Sequence, residues 1–351
     1  MNSLNPSFDP TLDLDLSSVQ LHPTPNQGVR KKLLTRLNDD DYILHIDNTS
    51  LESFLACDLA SFYRLVLGRT TYPTPALIYG QAIHSGLEYL YKYGPDLSKM
   101  IALGQKELDK LPEDPQEWRN LGAMARTFEL YLKEYKQDCI SPLLLDNKPC
   151  VELAFKDHVG SVDLNTELKF SHETLVVDGE SLENVYVKTL HIVWTGVIDV
   201  ISEEMSHLMI VDHKTSSVLG PSYYDQFNLS QQFIGYTRAA KNLLQRPVLG
   251  ALLNVIAGRK PSKTGVNLEF SRRRYMYPEH LLDEWQDDIL TLVGDFVNRL
   301  QVGHFPKRTL WCTGKFGTCP YMSACSLAPD LRPTMIYSDS FTDNLWDPLK
   351  K

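Results

Sequence analysis

The chain has 351 residues, 43% of them hydrophobic and 23% charged, with a formal net charge of −9; this is ordinary globular composition, with room for one elaborated domain or two. The negative balance argues against a surface coated in basic residues, yet does not exclude a nucleic-acid enzyme, whose phosphate contacts depend on local patches rather than on the sum. No run of 18 apolar residues and no charged-then-apolar N-terminus occur, so neither a membrane span nor a secretory signal is expected and the reading is cytoplasmic.

Residues 1–42 are rich in Pro, Asn, Asp and Ser and read as a flexible N-terminal arm. A helix is predicted from Thr49 and Ser50, good capping residues, with Leu51, Phe54, Leu55, Leu59, Phe62 and Leu65 on one apolar stripe before Gly68. A second runs from about Leu77 to Tyr93 and stops at Gly94-Pro95. Residues 96–110 and 115–138 read as two more. From Val151 the period changes to that of strands, and β segments continue to residue 213. The turn signals Val177-Asp178-Gly179-Glu180 mark a β excursion over 157–190. Tyr223–Leu244 reads as a helix, Val248–Ile256 and Asn267–Tyr277 as strands, and Pro278–Leu300 as a closing helix with proline in its first turn. The order predicts an α/β core behind a helical N-terminal region.

The chemistry lies between Gly196 and Tyr236. Gly196-Val197-Ile198-Asp199 sets a carboxylate in an apolar strand, and Leu208-Met209-Ile210-Val211 is a continuous apolar run from whose end Asp212 and Lys214 emerge. Period-two spacing puts Asp212 and Lys214 on one strand face, beside Asp199 if the two segments pair. Two carboxylates can hold a hard divalent cation, and a lysine can orient or deprotonate water or offset phosphate charge. Taken alone, an Asp-x-Lys is a common solvent-face pattern. What marks a site is the apolar setting, where a carboxylate is costly unless paired or metal-bound. Gln232 and Tyr236 share a helix face at i, i+4, able to bond a phosphate or buttress the lysine, or equally to form an amphipathic boundary pair. The basic runs Arg30-Lys31-Lys32, Arg272-Arg273-Arg274 and Lys307-Arg308 are candidate phosphate contacts, though such runs are more often solvated surface.

In this order the residues resemble the PD-(D/E)xK nuclease superfamily, in its RecB-type branch. Gly80-Gln81-Ala82-Ile83-His84-Ser85-Gly86-Leu87-Glu88 is similar to that branch's first motif, Gly-Val-Ile-Asp199 to its second, Asp212-His213-Lys214 to its third, and Gln232 to Tyr236 to the Q-x-x-x-Y motif that follows. The resemblance implies a restriction-endonuclease-like core, a mixed central sheet flanked by helices. It implies Mg²⁺ or Mn²⁺ on His84, Asp199 and Asp212, with Glu152 as a further acidic position. Asp199, Asp212, Lys214, Gln232 and Tyr236 would form the catalytic group. It also divides the chain into the arm (1–42), a nuclease domain over 43–326 (helical part 43–148, catalytic core 149–302, cysteine cluster 303–326) and a C-terminal tail (327–351).

Six cysteines occur, and Cys312, Cys319 and Cys325 cluster late while Cys57 lies far upstream. The iron–sulfur subgroup of the RecB-type nucleases, which includes the CRISPR adaptation nucleases, uses one cysteine before the nuclease core and three after it to hold a [4Fe–4S] cluster. The first spacing here, six residues, departs from that subgroup's usual two, while the final five-residue interval is kept. Four thiolates suit such a cluster and equally a structural Zn²⁺ site; a disulfide does not suit a reducing compartment. Cys139 and Cys150 read as ordinary thiols.

The function implied is a metal-dependent DNA exonuclease acting on linear or single-stranded ends, alone or with recombination or replication proteins, in repair, recombination or phage DNA metabolism (host cytoplasm, if phage-encoded). No G-x-x-x-x-G-K-[ST] helicase motif is present. The alternative is a catalytically dead fold kept as a DNA-binding or scaffolding module. Retention of His84, Asp199, Asp212 and Lys214 favours the enzyme.

Overall fold

The computed structural model describes residues 33–343 apart from 112–113, 115–116, 171–184, 205, 218, 263–264 and 315–316. Strands β1 (Leu34–Arg36) and β2 (Asp41–Ile46) form a hairpin inside and just beyond the stretch whose composition reads as an arm. Its turn is local polar chemistry, Asn38 Oδ1 accepting from the Asp40 and Asp41 amides. Helix α1 (Asn48–Ala56) begins two residues earlier than predicted, because Asp47 and Ser50 form a reciprocal capping box. It also ends earlier. Cys57 is extended, at φ −165° and ψ 124°, and the chain resumes as a short α-turn (Asp58–Ser61) and a π-turn (Phe62–Val66). The expected single stripe is therefore broken, and Leu55 is left 37% exposed.

Helices α2 (Pro75–Tyr93), α3 (Leu97–Leu108) and α4 (Leu121–Glu134) follow, each capped by an Asp, Asn or Thr side chain. Two long strands come next, β3 (Val151–Leu168) and β4 (Val185–Glu204); the predicted turn at 177–180 lies outside the described residues. Strand β5 (His207–Ser216) leads to a short helix α5 (Pro221–Asp225) and then α6 (Gln231–Leu244). The single helix expected over Tyr223–Leu244 is split because Ser230 Oγ accepts the Phe233 amide at 3.3 Å and starts a new helix there. Strands β6 (Val248–Ser262) and β7 (Gly265–Met276) and helix α7 (Glu279–Val302) complete the larger elements. The fold is mixed α/β, a central mixed sheet flanked by helices.

By internal contact the chain falls into two compact units, residues 1–72, 156–196 and 284–351, and residues 73–155 and 197–283. In the first unit β2 pairs antiparallel with β1 and parallel with the N-terminal part of β4, Ile43 opposite His191. Its core is aromatic: Phe54 stacks on Phe296 at 4.1 Å, Phe62 meets Phe305 at 4.6 Å, and Trp194 meets Trp285 edge-on at 5.1 Å. Arg69 gathers the far end of the chain, donating to the Ile336 and Phe341 carbonyls, and Thr342 pairs with Thr70. In the second unit the C-terminal part of β4 pairs antiparallel with β5, β5 parallel with β6, and β6 antiparallel with β7. Its core is the α2 stripe Tyr79, Ala82, Ile83 and Leu87 at helical spacing, packed with Met124 and Phe128 of α4 and with Val200, Val211, Leu252 and Ile256 of the strands.

Candidate active site

Strand β5 is buried from Leu208 to His213 and opens at Lys214, as its apolar run predicted. Its ladder with β4 ends at Val200 opposite Val211. One residue further, Asp199 turns its carboxylate onto the chain, and Oδ2 accepts the His213 backbone N–H at 2.8 Å. Asp199 and Asp212 are 6% and 5% exposed. Lys214 Nζ lies 2.9 Å from Asp212 Oδ2, and it donates to Asp212 Oδ1 at 3.2 Å and to Gln232 Oε1 at 3.0 Å. Gln232 Nε2 donates back to Asp212 Oδ1 at 3.0 Å, closing a ring of three side chains. The Ser230 cap makes this possible by placing Gln232 in the first turn of α6. Tyr236, one turn on, packs edge-on against Phe155 of β3 with ring centroids 5.1 Å apart.

His84 reaches the same carboxylates from α2, with Nδ1 3.5 Å from Asp199 Oδ2. The helix comes close because residue 80, one turn earlier, is glycine: a Cβ there would sit 3.1 Å from Thr215 Oγ1 on β5. Glu152 arrives from β3 with φ +53°, a left-handed conformation unusual for a non-glycine residue in a strand. Such strain costs on the order of 1–3 kcal/mol and persists where surrounding structure enforces it. Its product is a convergence. Among the described residues, His84, Glu152 and Asp199 bring three ligand atoms within 4.8 Å of one another.

Burial pushes the Asp212 carboxyl above its ordinary pKa, the Lys214 ammonium opposes this, and the Asp199 charge adds to it. Asp212 Oδ2 feels that ammonium but receives no aligned hydrogen bond among the described residues. Buried carboxylates that crowd one another, with one oxygen left unserved and an imidazole alongside, fit a hard divalent cation.

Behind the carboxylates stands a buried polar network that the sequence did not disclose. The His213 ring stacks on Tyr91 at 5.3 Å, and its Nδ1 lies 2.8 Å from Asn254 Nδ2. Asn254 Oδ1 accepts from Arg272 Nε at 3.1 Å, and Arg272 also pairs with Asp138 and donates to the Tyr91 and Tyr131 hydroxyls. The guanidinium lies over the Tyr135 ring at 3.6 Å. One signal was present: Asn254 interrupts the buried run Leu252-Leu253-Asn254-Val255-Ile256, where an amide needs partners. Arg272 was hidden inside a triple-arginine run.

Cys57, Cys312, Cys319 and Cys325 lie within the first unit, Cys139 and Cys150 within the second. All six are free thiols. Cys319 lies within electrostatic reach of Cys57 and Cys312, and Cys325 within reach of Cys57 and Cys319. Burial first, and these neighbours next, push the Cys325 thiol up to about 11 and raise that of Cys319. The Arg308 backbone N–H points at Cys57 Sγ at 3.4 Å, and its guanidinium reaches the buried Asp58. Cys312 and Cys319 are joined through their backbones, N of Cys319 to O of Cys312 at 2.8 Å. Among the described residues, no three of these sulfurs come within 4.8 Å of one another.

Residues 48–326 match the family model of the PD-(D/E)XK nuclease superfamily. The chain belongs to that superfamily. Among solved structures, one from Eubacterium rectale, described as a "putative exonuclease", is similar at 10% identity over 76% of this chain and 85% of that one, with a TM-score of 0.45. No curated protein matches the sequence. Asp212-His213-Lys214 carries an Asp-x-Lys spacing, and its central histidine is the residue through which the polar network meets Asp199. Among the described residues no helix is long and apolar enough to cross a membrane.

Proposed function

We propose that the protein is a divalent-metal-dependent DNA nuclease, an exonuclease at DNA ends in recombination, repair or phage DNA metabolism. The observation that carries this is the meeting of two sets: His84, Glu152 and Asp199 as ligand atoms, and Asp212, Lys214 and Gln232 as a closed ring whose Asp212 carries the adjoining carboxylate. His84, Glu152, Asp199 and Asp212 would hold Mg²⁺ or Mn²⁺. The bound ion would polarise a phosphate and lower the pKa of a water. Lys214, held in place by Asp212 and Gln232, positions that water or offsets charge developing on the phosphate. Gln232 fixes the ammonium's direction, and Tyr236 supports the helix that carries Gln232. Purified protein with Mg²⁺ or Mn²⁺ on end-labelled linear and on circular DNA tests the assignment. Loss of label from linear DNA alone supports an exonuclease, and nicking of circles makes it an endonuclease. DNA binding without cleavage of either would return the scaffolding alternative.

Cys57, Cys312, Cys319 and Cys325 we assign to a [4Fe–4S] cluster. A zinc ion would draw four sulfurs to about 3.8 Å from one another, given Zn–S bonds of about 2.3 Å. The order along the chain, one cysteine ahead of the candidate site and three after it, supports a cluster, which sets its own iron and sulfide between the thiolates. Anaerobically purified protein should be brown and bleach in air. Colourless protein with stoichiometric zinc would reverse the assignment.

A further inference from the structure

We propose that Tyr223, Tyr224 and Arg273 form a landing for single-stranded nucleic acid beside the candidate active site, the rings taking unstacked bases and the guanidinium a phosphate. The proposal rests on the nuclease reading and narrows its substrate to a strand with unpaired bases. Asp212, Lys214 and Ser216 alternate along β5 and so share one face. The Tyr223 hydroxyl hydrogen-bonds the Ser216 side chain, and the Asp212 charge reaches the phenol, adding to burial in raising its pKa to about 12. Tyr223 therefore lies along the face that carries the carboxylate and the ammonium. Tyr224 meets it edge-on at 5.4 Å, and both rings are partly exposed.

The platform is fixed in advance. Tyr224 donates its hydroxyl to Ser271 Oγ at 2.9 Å, Tyr275 donates to the Tyr224 carbonyl at 2.8 Å, and Tyr277 donates to the Phe227 carbonyl. Rings already held need not be ordered when a ligand arrives. Arg273 stands over this surface, its guanidinium carbon 5.5 Å from the Tyr224 ring and 5.7 Å from that of Tyr275. Its two neighbours are engaged by carboxylates, Arg272 by Asp138 and Arg274 by Glu204. Among the described residues no carboxylate pairs with the exposed Arg273. An arginine held over aromatic rings without a counter-ion offers a phosphate a pre-placed partner. Duplex DNA keeps its base faces inside the stack and has little to give two tyrosine rings, whereas a single strand offers a face with every base.

Anisotropy of a fluorescein-labelled oligothymidylate of about twelve nucleotides, and of a blunt duplex of the same length, can be followed in EDTA so that cleavage plays no part. The single strand should bind more tightly than the duplex. Tyr223→Ala should weaken it by about 5- to 150-fold, since stacking contributes on the order of 1–3 kcal/mol per base, while Tyr223→Phe, which keeps the ring, stays within about twofold. Arg273→Gln should lower the slope of log affinity against log salt by about 0.7, the loss of one phosphate contact to a single strand. Circular dichroism melts identify a variant that has merely unfolded, and Tyr223→Phe and Arg273→Gln then carry the test. No single-strand binding by the wild type, equal loss of strand and duplex in Tyr223→Ala, or an unchanged salt slope would overturn the proposal even if cleavage is observed. Strand binding that depends on Tyr223 in a protein that never cleaves would instead sink the nuclease reading and leave the landing standing.

Discussion

Lys214 is the side chain on which the catalytic reading turns. It is partly exposed and sits at the end of a strand, so Lys214→Ala should fold normally and bind DNA while cleavage falls by at least about a hundredfold. Turnover within a few-fold of wild type would remove the lysine from the mechanism. Arg272 behaves oppositely. Its side chain is 10% exposed and serves Asp138, Asn254 and two tyrosine hydroxyls, so Arg272→Met strands a half-buried carboxylate and a buried amide and should destabilise the chain by about 1–3 kcal/mol. At a temperature where it remains folded, it should also bind Mn²⁺ more weakly, because the Asn254 amide that orients the His213 ring loses the guanidinium that holds it; unaltered Mn²⁺ affinity by calorimetry would confine Arg272 to stability. Asp199, Asp212 and Lys214 were legible in the sequence because carboxylates at the ends of apolar runs stand out against their surroundings. Arg272 was not, since nothing in Arg272-Arg273-Arg274 says that the first of the three turns inward.

Among the elements, α2 was the most readable: it stops at Tyr93 before Gly94-Pro95 as expected, starts at Pro75, two residues ahead of the expected Leu77, and buries the stripe Tyr79, Ala82, Ile83 and Leu87. That stripe also contains a tight fit. A Cβ on Gly86 would lie 2.2 Å from the Phe128 ring, and Phe128 is fully buried and cannot retreat. Gly86→Ala should therefore destabilise the protein by about 1–3 kcal/mol despite its better helix propensity, and a melting temperature equal to or above wild type would contradict the packing described. The misread elements share a cause. Periodicity carried the first helix through Cys57 and the later one through Ser230, yet in each a local event ended the helix: an extended residue at 57 and a hydroxyl cap at 230. Both interruptions fall beside residues with chemistry, Cys57 itself and Gln232. The hairpin at 34–46 was missed for a different reason, that composition over forty residues averages away a few buried apolar positions such as Leu33, Leu34 and Tyr42.

At the scale of the molecule, two features of the first unit set its stability. His45 is buried against Thr35, and burial first and the Lys156 charge second lower its pKa to about 4 from 6.5. Between those values the unfolded chain binds more protons than the folded one, so this contribution is complete above pH 6.5 and is lost as pH falls toward 4, at up to about 1.4 kcal/mol per pH unit. His45→Gln should flatten the melting temperature against pH in that window; an identical slope would assign the acid sensitivity elsewhere. Cys57→Ser should lower the melting temperature of metal-replete protein while leaving cleavage per folded molecule close to wild type. An unchanged melting temperature would show that the thiolate set holds nothing together. On the cluster assignment, the same set would impose an order on biosynthesis. Every residue of the candidate active site, from His84 to Tyr236, leaves the ribosome before Cys312 is made, whereas Cys57 must wait for Cys325. At ordinary translation rates that interval of roughly 90 residues after Tyr236 lasts about 5 to 20 seconds. A message broken between the codons for Met276 and Cys312 would release the strands that carry Asp199, Asp212 and Lys214 without the three late cysteines.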